Sequence, residues 1–288
     1  MIRTYLLGFV AVALIACGGG KGGTVDGGGS GDGDGGGSNT DGGAGLDGLL
    51  IDAPPFGGAC TPGGPQCSDC VDNDGDNTID GFDIHCTGPL DNDESSFETG
   101  IPGDNMDAVN QDCFFDGNSG AGDDKCNIHV CCLLGAATVA ECPIGANQYK
   151  PQDCPPPIGT KPLAQTCIDN CSVVTPPGCD CFGCCTICDP TTNMCYDILA
   201  NPSASPDCNE TNLADPTKCT RCDQTEVCGP TECGGATCVL CPGQDPSTLP
   251  TECNGTTTCP NGAQSCAMGE TCPVNSYCDS GCCVGTIF

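Results

Sequence analysis

Tryptophan is absent from this sequence of 288 residues, and eight phenylalanines and four tyrosines are its whole aromatic content. Domains of this length usually bury most of their unfolded surface around aliphatic and aromatic side chains. The nominal hydrophobic fraction of 38% includes 33 cysteines, so the apolar material for a core is smaller than that fraction implies. This scarcity predicts that something other than a large apolar core stabilises the fold.

Basic residues are also scarce, because 7 Lys and Arg stand against 38 Asp and Glu, which gives a formal net charge of −31. Such a charge repels nucleic acid and anionic lipid headgroups and attracts basic proteins. The composition therefore predicts no nucleic-acid partner. An alternative role for the acidity is only to keep a secreted protein soluble.

Histidine occurs only twice, at His85 and His129, which is a thin supply of general bases. Neither residue lies in a nucleophile motif, and no glycine-rich phosphate loop follows a predicted strand. A reactive thiol needs basic neighbours, which this chain almost lacks. The sequence therefore predicts that the chain is not an enzyme.

Cysteine is what the sequence has in excess. Beyond Cys17, 32 cysteines run from Cys60 to Cys283, and an even number at this density predicts up to sixteen disulfides. Each closed loop typically contributes about 2–4 kcal/mol by restricting the unfolded chain. Adjacent cysteines rarely bond to each other, so each vicinal pair is expected to join two different loops to one point. These pairs are Cys131-Cys132, Cys184-Cys185 and Cys282-Cys283.

Thiolate metal binding is the alternative for the same cysteines, since paired CxxC units are typical of structural zinc sites. The candidate segments are "CDCFGCCTIC" at 179–188 and "CNIHVCC" at 126–132. Thiolates persist poorly in an oxidising compartment, and CxxC spacings arise by chance at this cysteine density. Disulfides are therefore the favoured interpretation.

The chain begins with "MIRTYLLGFVAVALIAC", in which an apolar run follows Arg3. The run is too short to span a bilayer as a mature helix but fits the hydrophobic region of a signal peptide. Its last four residues, Leu14 to Cys17, resemble the lipobox of bacterial lipoproteins. This resemblance implies that residues 1–16 are removed and that Cys17 is lipidated. An ordinary secretory signal and a retained hydrophobic anchor are the alternatives.

Gly18 resembles the outer-membrane sorting pattern of Gram-negative lipoproteins, which implies the outer membrane or cell surface as the location. Residues 18–48 are almost wholly Gly, Asp, Ser and Thr. This composition predicts a disordered, low-complexity linker with a reach of about 30 Å. With Cys17 at its start, the linker would tether an extracellular domain to the membrane through the lipid anchor.

The rest of the chain divides into an acidic segment at 49–98, a Cys-rich block at 99–200 and a C-terminal Cys-rich block at 201–288. Proline and glycine interrupt every few residues, so we expect a small disulfide-rich, loop-dominated fold with short strands and few helices after the N-terminal signal helix. Short helices are predicted near "CLLGAATVAEC" and "PLAQTCIDNC". The ending "CPVNSYCDSGCC" resembles the end of small knottin-like modules, which implies no activity.

The acidic segment contains "DNDGDNTIDGFD" at 72–83, whose five aspartates fall at positions 1, 3, 5, 9 and 12 of a twelve-residue loop. This is the spacing of an EF-hand loop, in which alternate side chains of a curling backbone converge and position 7 lends its carbonyl. Hard oxygen ligands at this density suit calcium.

Asn77 at position 6, Asp83 in place of the bidentate Glu, and flanks rich in helix breakers depart from the EF-hand pattern. The closer resemblance is to thrombospondin type-3 repeats and to bacterial surface proteins with DNDGD segments. It implies a structural calcium ion, and the alternative is an acidic turn that binds nothing. The implied ligands are Asp72, Asp74, Asp76, the Thr78 carbonyl, Asp80 and Asp83.

Together these features predict a cell-surface lipoprotein with a structural calcium site and a structural or adhesive role. An alternative is an extracellular binding or protease-inhibitor-like module that uses stapled loops of residues 201–288. The expected partners are the membrane, through the lipid anchor, and a protein or surface of unspecified kind.

Overall fold

The computed structural model describes residues 60–117, 125–229, 232–253 and 257–286. These residues belong to one compact unit, Leu50–Phe288. The predicted signal peptide, the lipidation site Cys17 and the linker up to residue 48 lie outside the described residues. In the described ranges no helix has both the length and the apolar character needed to cross a bilayer.

Regular structure in the described ranges is short. The two α-helices are α1, Val130–Leu133, and α2, Gln165–Cys171. Three antiparallel pairs form from β1 Asn110–Gln111 with β2 Ile128–His129, β3 Cys184–Cys188 with β4 Cys195–Leu199, and β5 Ser276–Asp279 with β6 Cys282–Gly285. Seven 3₁₀ turns complete the elements, among them Gln66–Ser68 and Asp80–Phe82 in the acidic segment. The predicted loop-dominated, disulfide-rich fold is confirmed.

One of the two predicted helices is present, whereas α1 overlaps only the first two residues of the other predicted segment. Helix α2 lies within "PLAQTCIDNC". In "CLLGAATVAEC" the helix ends at Leu133, and Gly135 follows with a φ of +68°, the left-handed conformation with which helices commonly end. A separate 3₁₀ turn, Val139–Glu141, closes that segment.

Sixteen disulfides join all 32 cysteines that follow Cys17. The expectation for the vicinal cysteines is confirmed, since each member bonds to a different loop. The pairs are Cys131–Cys142 and Cys132–Cys154, Cys184–Cys222 and Cys185–Cys179, and Cys282–Cys259 and Cys283–Cys272. Every cysteine of the two candidate thiolate segments is disulfide-bonded, as the favoured interpretation predicts.

Disulfides and apolar side chains pack together in the same small core. The largest cluster of buried residues has twenty members, of which twelve are cysteines, packed with side chains such as Leu133, Phe182 and Leu199. A second cluster is built on Phe97, Phe114 and the inward residues of β3 and β4. An apolar core therefore exists, but sulfur supplies much of its packing.

The acidic segment docks on the C-terminal hairpin of β5 and β6. The Ser280 amide donates to the Gly81 carbonyl at 2.8 Å, and the Tyr277 hydroxyl donates to the Cys67 carbonyl at 2.7 Å. Gly81 leaves no room between the two pieces, because a Cβ there would lie 2.2 Å from the Cys278 carbonyl oxygen. The loop of residues 72–83 is thus supported from outside its own segment.

Candidate metal centre

The loop of residues 72–83 is a string of tight turns closed by disulfides. Cys67–Cys86 joins the chain on either side of it, and Cys60–Cys70 fixes its entry. The Asp72 carboxylate accepts from the amides of Gly75 at 2.6 Å and Asn77 at 3.1 Å. Asn77 has a φ of +79°, a left-handed conformation that asparagine adopts more readily than most other non-glycine residues.

Three of the predicted ligands lie together on one side of the loop. Asp76 Oδ1 accepts from the Thr78 amide at 2.7 Å and from the Thr78 hydroxyl at 2.6 Å, and that hydroxyl lies 3.3 Å from Asp83 Oδ2. Burial, together with the charges of Asp76 and Asp83, raises the pKa of the nearby Asp74 carboxyl. Asp74, Asp76 and Asp83 therefore share one electrostatic environment.

Asp80 is turned away from this group. Its Oδ1 accepts from the Cys70 amide at 3.2 Å, and its own amide donates to Glu94 Oε1 at 2.8 Å. Glu94, which is fully buried, also accepts from the Asn73 amide at 2.8 Å. The carboxylates of Asp80 and Glu94 thus accept hydrogen bonds from loop amides, which in a helix or strand would donate to backbone carbonyls.

Asp91 and Asp93, which follow the loop in "LDNDE", also cap turns. Asp91 accepts from Thr87 and Asp93 amides, and burial raises its pKa to about 7. Asp93 accepts from Ser95 and Ser96. Neither carboxylate has a hydrogen bond with the loop of residues 72–83 among those described.

Two further residues meet the loop at Asp83, and the spacing of its aspartates gives no sign of them. His85 Nδ1 lies 3.3 Å from Asp83 Oδ1 and 3.8 Å from Glu210 Oε1. Burial raises the pKa of Glu210 to about 7, an effect that His85 opposes and Asp83 and Asp76 strengthen. Burial lowers the pKa of His85, but the adjacent carboxylates of Asp83 and Glu210 outweigh this effect and raise the pKa to about 9.

Unsatisfied polar atoms concentrate at this place. Among the described residues six buried side-chain oxygen or nitrogen atoms lack a hydrogen bond, and three of them are Asp76 Oδ2, His85 Nδ1 and Glu210 Oε1. Buried polar atoms are normally paired, because leaving one bare costs about 1–3 kcal/mol. Three such atoms thus lie on side chains at or next to the acidic loop.

The donor set on the loop side fits a hard cation. It consists of carboxylate oxygens from Asp74, Asp76 and Asp83 beside Asp72 and Thr78, and the acidic segment supplies no Lys or Arg as counter-charge. Sequence reasoning missed Glu210 because it lies 125 residues beyond His85 in a segment without a metal-binding motif.

No family model, curated protein or solved structure matches this chain.

Proposed function

We propose that this chain is a cell-surface lipoprotein whose disulfide-stapled extracellular domain holds a structural calcium ion and has a structural or adhesive role. The sixteen disulfides support an oxidising, extracytoplasmic location. The lipobox-like Leu14 to Cys17 and the linker support the lipid anchor. Calcium would order the acidic segment and would serve neither catalysis nor signalling. The absence of enzymatic activity stays a prediction.

The observation that carries the calcium proposal is the Asp76 carboxylate. One oxygen is saturated by Thr78, and the other is buried without a partner beside Asp74 and Asp83. Like charges a few ångströms apart repel by about 1 kcal/mol or more per pair, even at high effective dielectric. A divalent cation held by Asp72, Asp74, Asp76, the Thr78 carbonyl and Asp83 would relieve that repulsion.

Calorimetric titration of the full-length chain with calcium tests this proposal. We expect binding at about 10⁻⁴–10⁻³ M, typical of extracellular calcium modules. Asp74→Asn/Asp76→Asn should weaken it at least tenfold, because two oxygen ligands lose their charge. Asp153→Asn/Asp169→Asn, an equal charge change at exposed positions, is the matched control. Equal heats from both double variants would show that the loop is only an acidic turn.

Membrane fractionation tests the anchor. Cys17→Ser should move the protein from the membrane pellet to the soluble fraction, because acyl chains contribute about 0.8 kcal/mol of membrane affinity per buried CH₂ and the substitution removes their attachment point. The control is Cys60→Ser, which removes a different cysteine and should leave the protein in the membrane fraction. Persistence of the Cys17→Ser variant in the pellet would contradict lipid anchoring.

A binding or inhibitory module is the second candidate function. The observation that favours it is that Val274 and Met268 are 67% and 46% exposed to solvent. Both residues lie on the C-terminal segment, which disulfides hold in place. On a loop fixed by disulfides, such side chains offer a partner an apolar surface that is already ordered. Titration of a panel of proteases with the full-length chain and with its Val274→Asp variant separates the two candidate functions. If the chain is an inhibitor, the variant should inhibit less strongly. If the chain is purely structural, neither form should inhibit.

A further inference from the structure

The side of Asp83 that faces away from the calcium loop forms a second donor group. Asp83 Oδ2 lies on the Thr78 side, whereas Oδ1 lies 3.3 Å from His85 Nδ1, and Glu210 Oε1 lies 3.8 Å from the same nitrogen. All three side chains are shielded, with 0% exposure for Asp83, 1% for His85 and 13% for Glu210. The single carboxylate of Asp83 therefore borders two different environments.

The imidazole of His85 is oriented as metal-ligating histidines are. Its Nε2 lies 2.9 Å from the Cys208 carbonyl oxygen, and because a carbonyl can only accept, Nε2 carries the hydrogen. A ring that binds a metal through Nδ1 carries no proton there and presents a lone pair to the ion. That nitrogen is buried without a hydrogen bond, and Asp83 Oδ1 and Glu210 Oε1 lie beside it. A ring nitrogen that donates to a backbone carbonyl while the other is directed at carboxylates is the usual second-shell arrangement at metal sites.

The separations of His85 Nδ1 from the two carboxylate oxygens are close to those in a small coordination sphere. Zinc binds nitrogen and oxygen at about 2.0–2.2 Å, so neighbouring ligand atoms of a tetrahedron lie about 3.3–3.6 Å apart. His85 Nδ1 lies 3.3 Å from Asp83 Oδ1, which is within this range, and 3.8 Å from Glu210 Oε1, which is slightly above it. Imidazole with carboxylates is a donor set for first-row divalent metals, whereas calcium takes oxygen ligands alone.

We propose that Asp83 Oδ1, His85 Nδ1 and Glu210 Oε1 form a binding site for a first-row divalent cation such as Zn²⁺, separate from the calcium ligands of the loop except for the shared Asp83. The ligands need no thiolate, so the site is compatible with an oxidising compartment in which every described cysteine is disulfide-bonded. Such an ion would join the segment around Cys208 and Glu210 to the acidic segment, which no disulfide does. The partial exposure of Glu210 marks the side from which the ion enters.

Nitrogen NMR of the two histidines tests the site directly in the full-length chain. His129 is an internal reference, because its Nδ1 accepts from the Cys131 amide and its Nε2 contacts the Gly145 carbonyl. With calcium saturating, one equivalent of Zn²⁺ should shift the His85 Nδ1 resonance to a metal-bound value and leave His129 unchanged. If both His85 nitrogens are protonated and Zn²⁺ leaves them unmoved, His85 is an imidazolium held between two carboxylates and the proposal is wrong.

Zinc titration of the Glu210→Gln variant supplies the second measurement. We expect at least a tenfold loss of Zn²⁺ affinity, whereas Glu226→Gln, the same change at an exposed position, should bind Zn²⁺ as the unaltered chain does. Unchanged His129 resonances in Glu210→Gln would show that the variant is folded. Equal Zn²⁺ affinity in the two variants would overturn the site. Loss of calcium binding in Asp74→Asn/Asp76→Asn with zinc binding retained would separate this proposal from the calcium proposal.

Discussion

The described part of the acidic segment, residues 60–98, and a second region that we call the disulfide block, residues 125–228, stabilise their loops by different chemistry. The acidic segment has ten Asp and Glu, no Lys or Arg, and two internal disulfides. The disulfide block has eight internal disulfides and most of the largest buried cluster. Where cross-links and apolar packing are few, carboxylates satisfy the backbone amides instead.

Asp180 and Asp76 show what separates a structural aspartate from a candidate ligand. Asp180 in the disulfide block accepts from the amides of Phe182, Cys184 and Thr225 and from the Thr225 hydroxyl. Although burial raises its pKa to about 6, both of its oxygens are saturated by hydrogen bonds. Asp76 in the acidic segment has one saturated oxygen and one bare buried oxygen. Of these two carboxylates, only Asp76 keeps an oxygen without a hydrogen bond.

Removal of a disulfide should affect the two regions unequally. Cys181→Ala/Cys228→Ala opens a loop of 47 residues in the block, for which chain entropy predicts a loss of about 4 kcal/mol. Cys60→Ala/Cys70→Ala opens a loop of 10 residues, with an expected loss of about 3 kcal/mol. Cys181 and Cys228 are fully buried, so lost packing widens the gap. Denaturant unfolding measures both, and an equal loss would contradict the division between the regions.

Mild acid should stabilise the calcium-free protein through carboxyls whose pKa burial raises. Asp279, on the hairpin that supports the acidic segment, has a pKa raised to about 7 by burial. The folded state therefore binds a proton more tightly than the unfolded chain, so this contribution is complete below about pH 4 and is lost as the pH rises through 7. Its size is on the order of 4 kcal/mol.

The matched variants for this pH effect are Asp279→Asn and Asp153→Asn, the second at an exposed position. Melting temperatures in calcium-free buffer should fall between pH 4 and pH 7 for the unaltered chain and for Asp153→Asn. Asp279→Asn should flatten that fall, because the titrating group is gone. If Asp279→Asn leaves the change of melting temperature with pH unaltered, the Asp279 carboxyl does not control the pH dependence of stability.

The contact between the acidic segment and the hairpin should depend on a single missing Cβ. Gly81→Ala places that atom against the Cys278 carbonyl oxygen, which is backbone and cannot turn aside, so we expect a loss of at least about 2 kcal/mol. Gly88→Ala, in the same segment, meets nothing within 4 Å and should change stability by less than about 0.5 kcal/mol. Denaturant unfolding of the pair measures the difference. Similar stabilities would mean that the segment does not dock tightly on the hairpin.

Local sequence signals predicted some of the candidate site and missed the rest for a physical reason. Alternating aspartates place Asp74 and Asp76 on one side of a curling backbone, and the structure keeps them there with Asp83. Asp80 follows the same spacing but is drawn away by the Cys70 amide, which otherwise lacks a partner in an irregular loop. Competition for backbone hydrogen bonds is decided by the folded neighbourhood, which the spacing does not encode.

The sequence by itself determined the disulfide-rich, loop-dominated class, because 32 cysteines with few aromatic residues and frequent proline and glycine leave little else that is stable. It also determined that vicinal cysteines bond to separate loops, since adjacent residues rarely bond to each other. Only the tertiary structure decided which cysteines pair and that His85, Asp83 and Glu210 meet. The pairing and that meeting depend on how distant loops pack, and local composition carries no information about contacts across 125 residues.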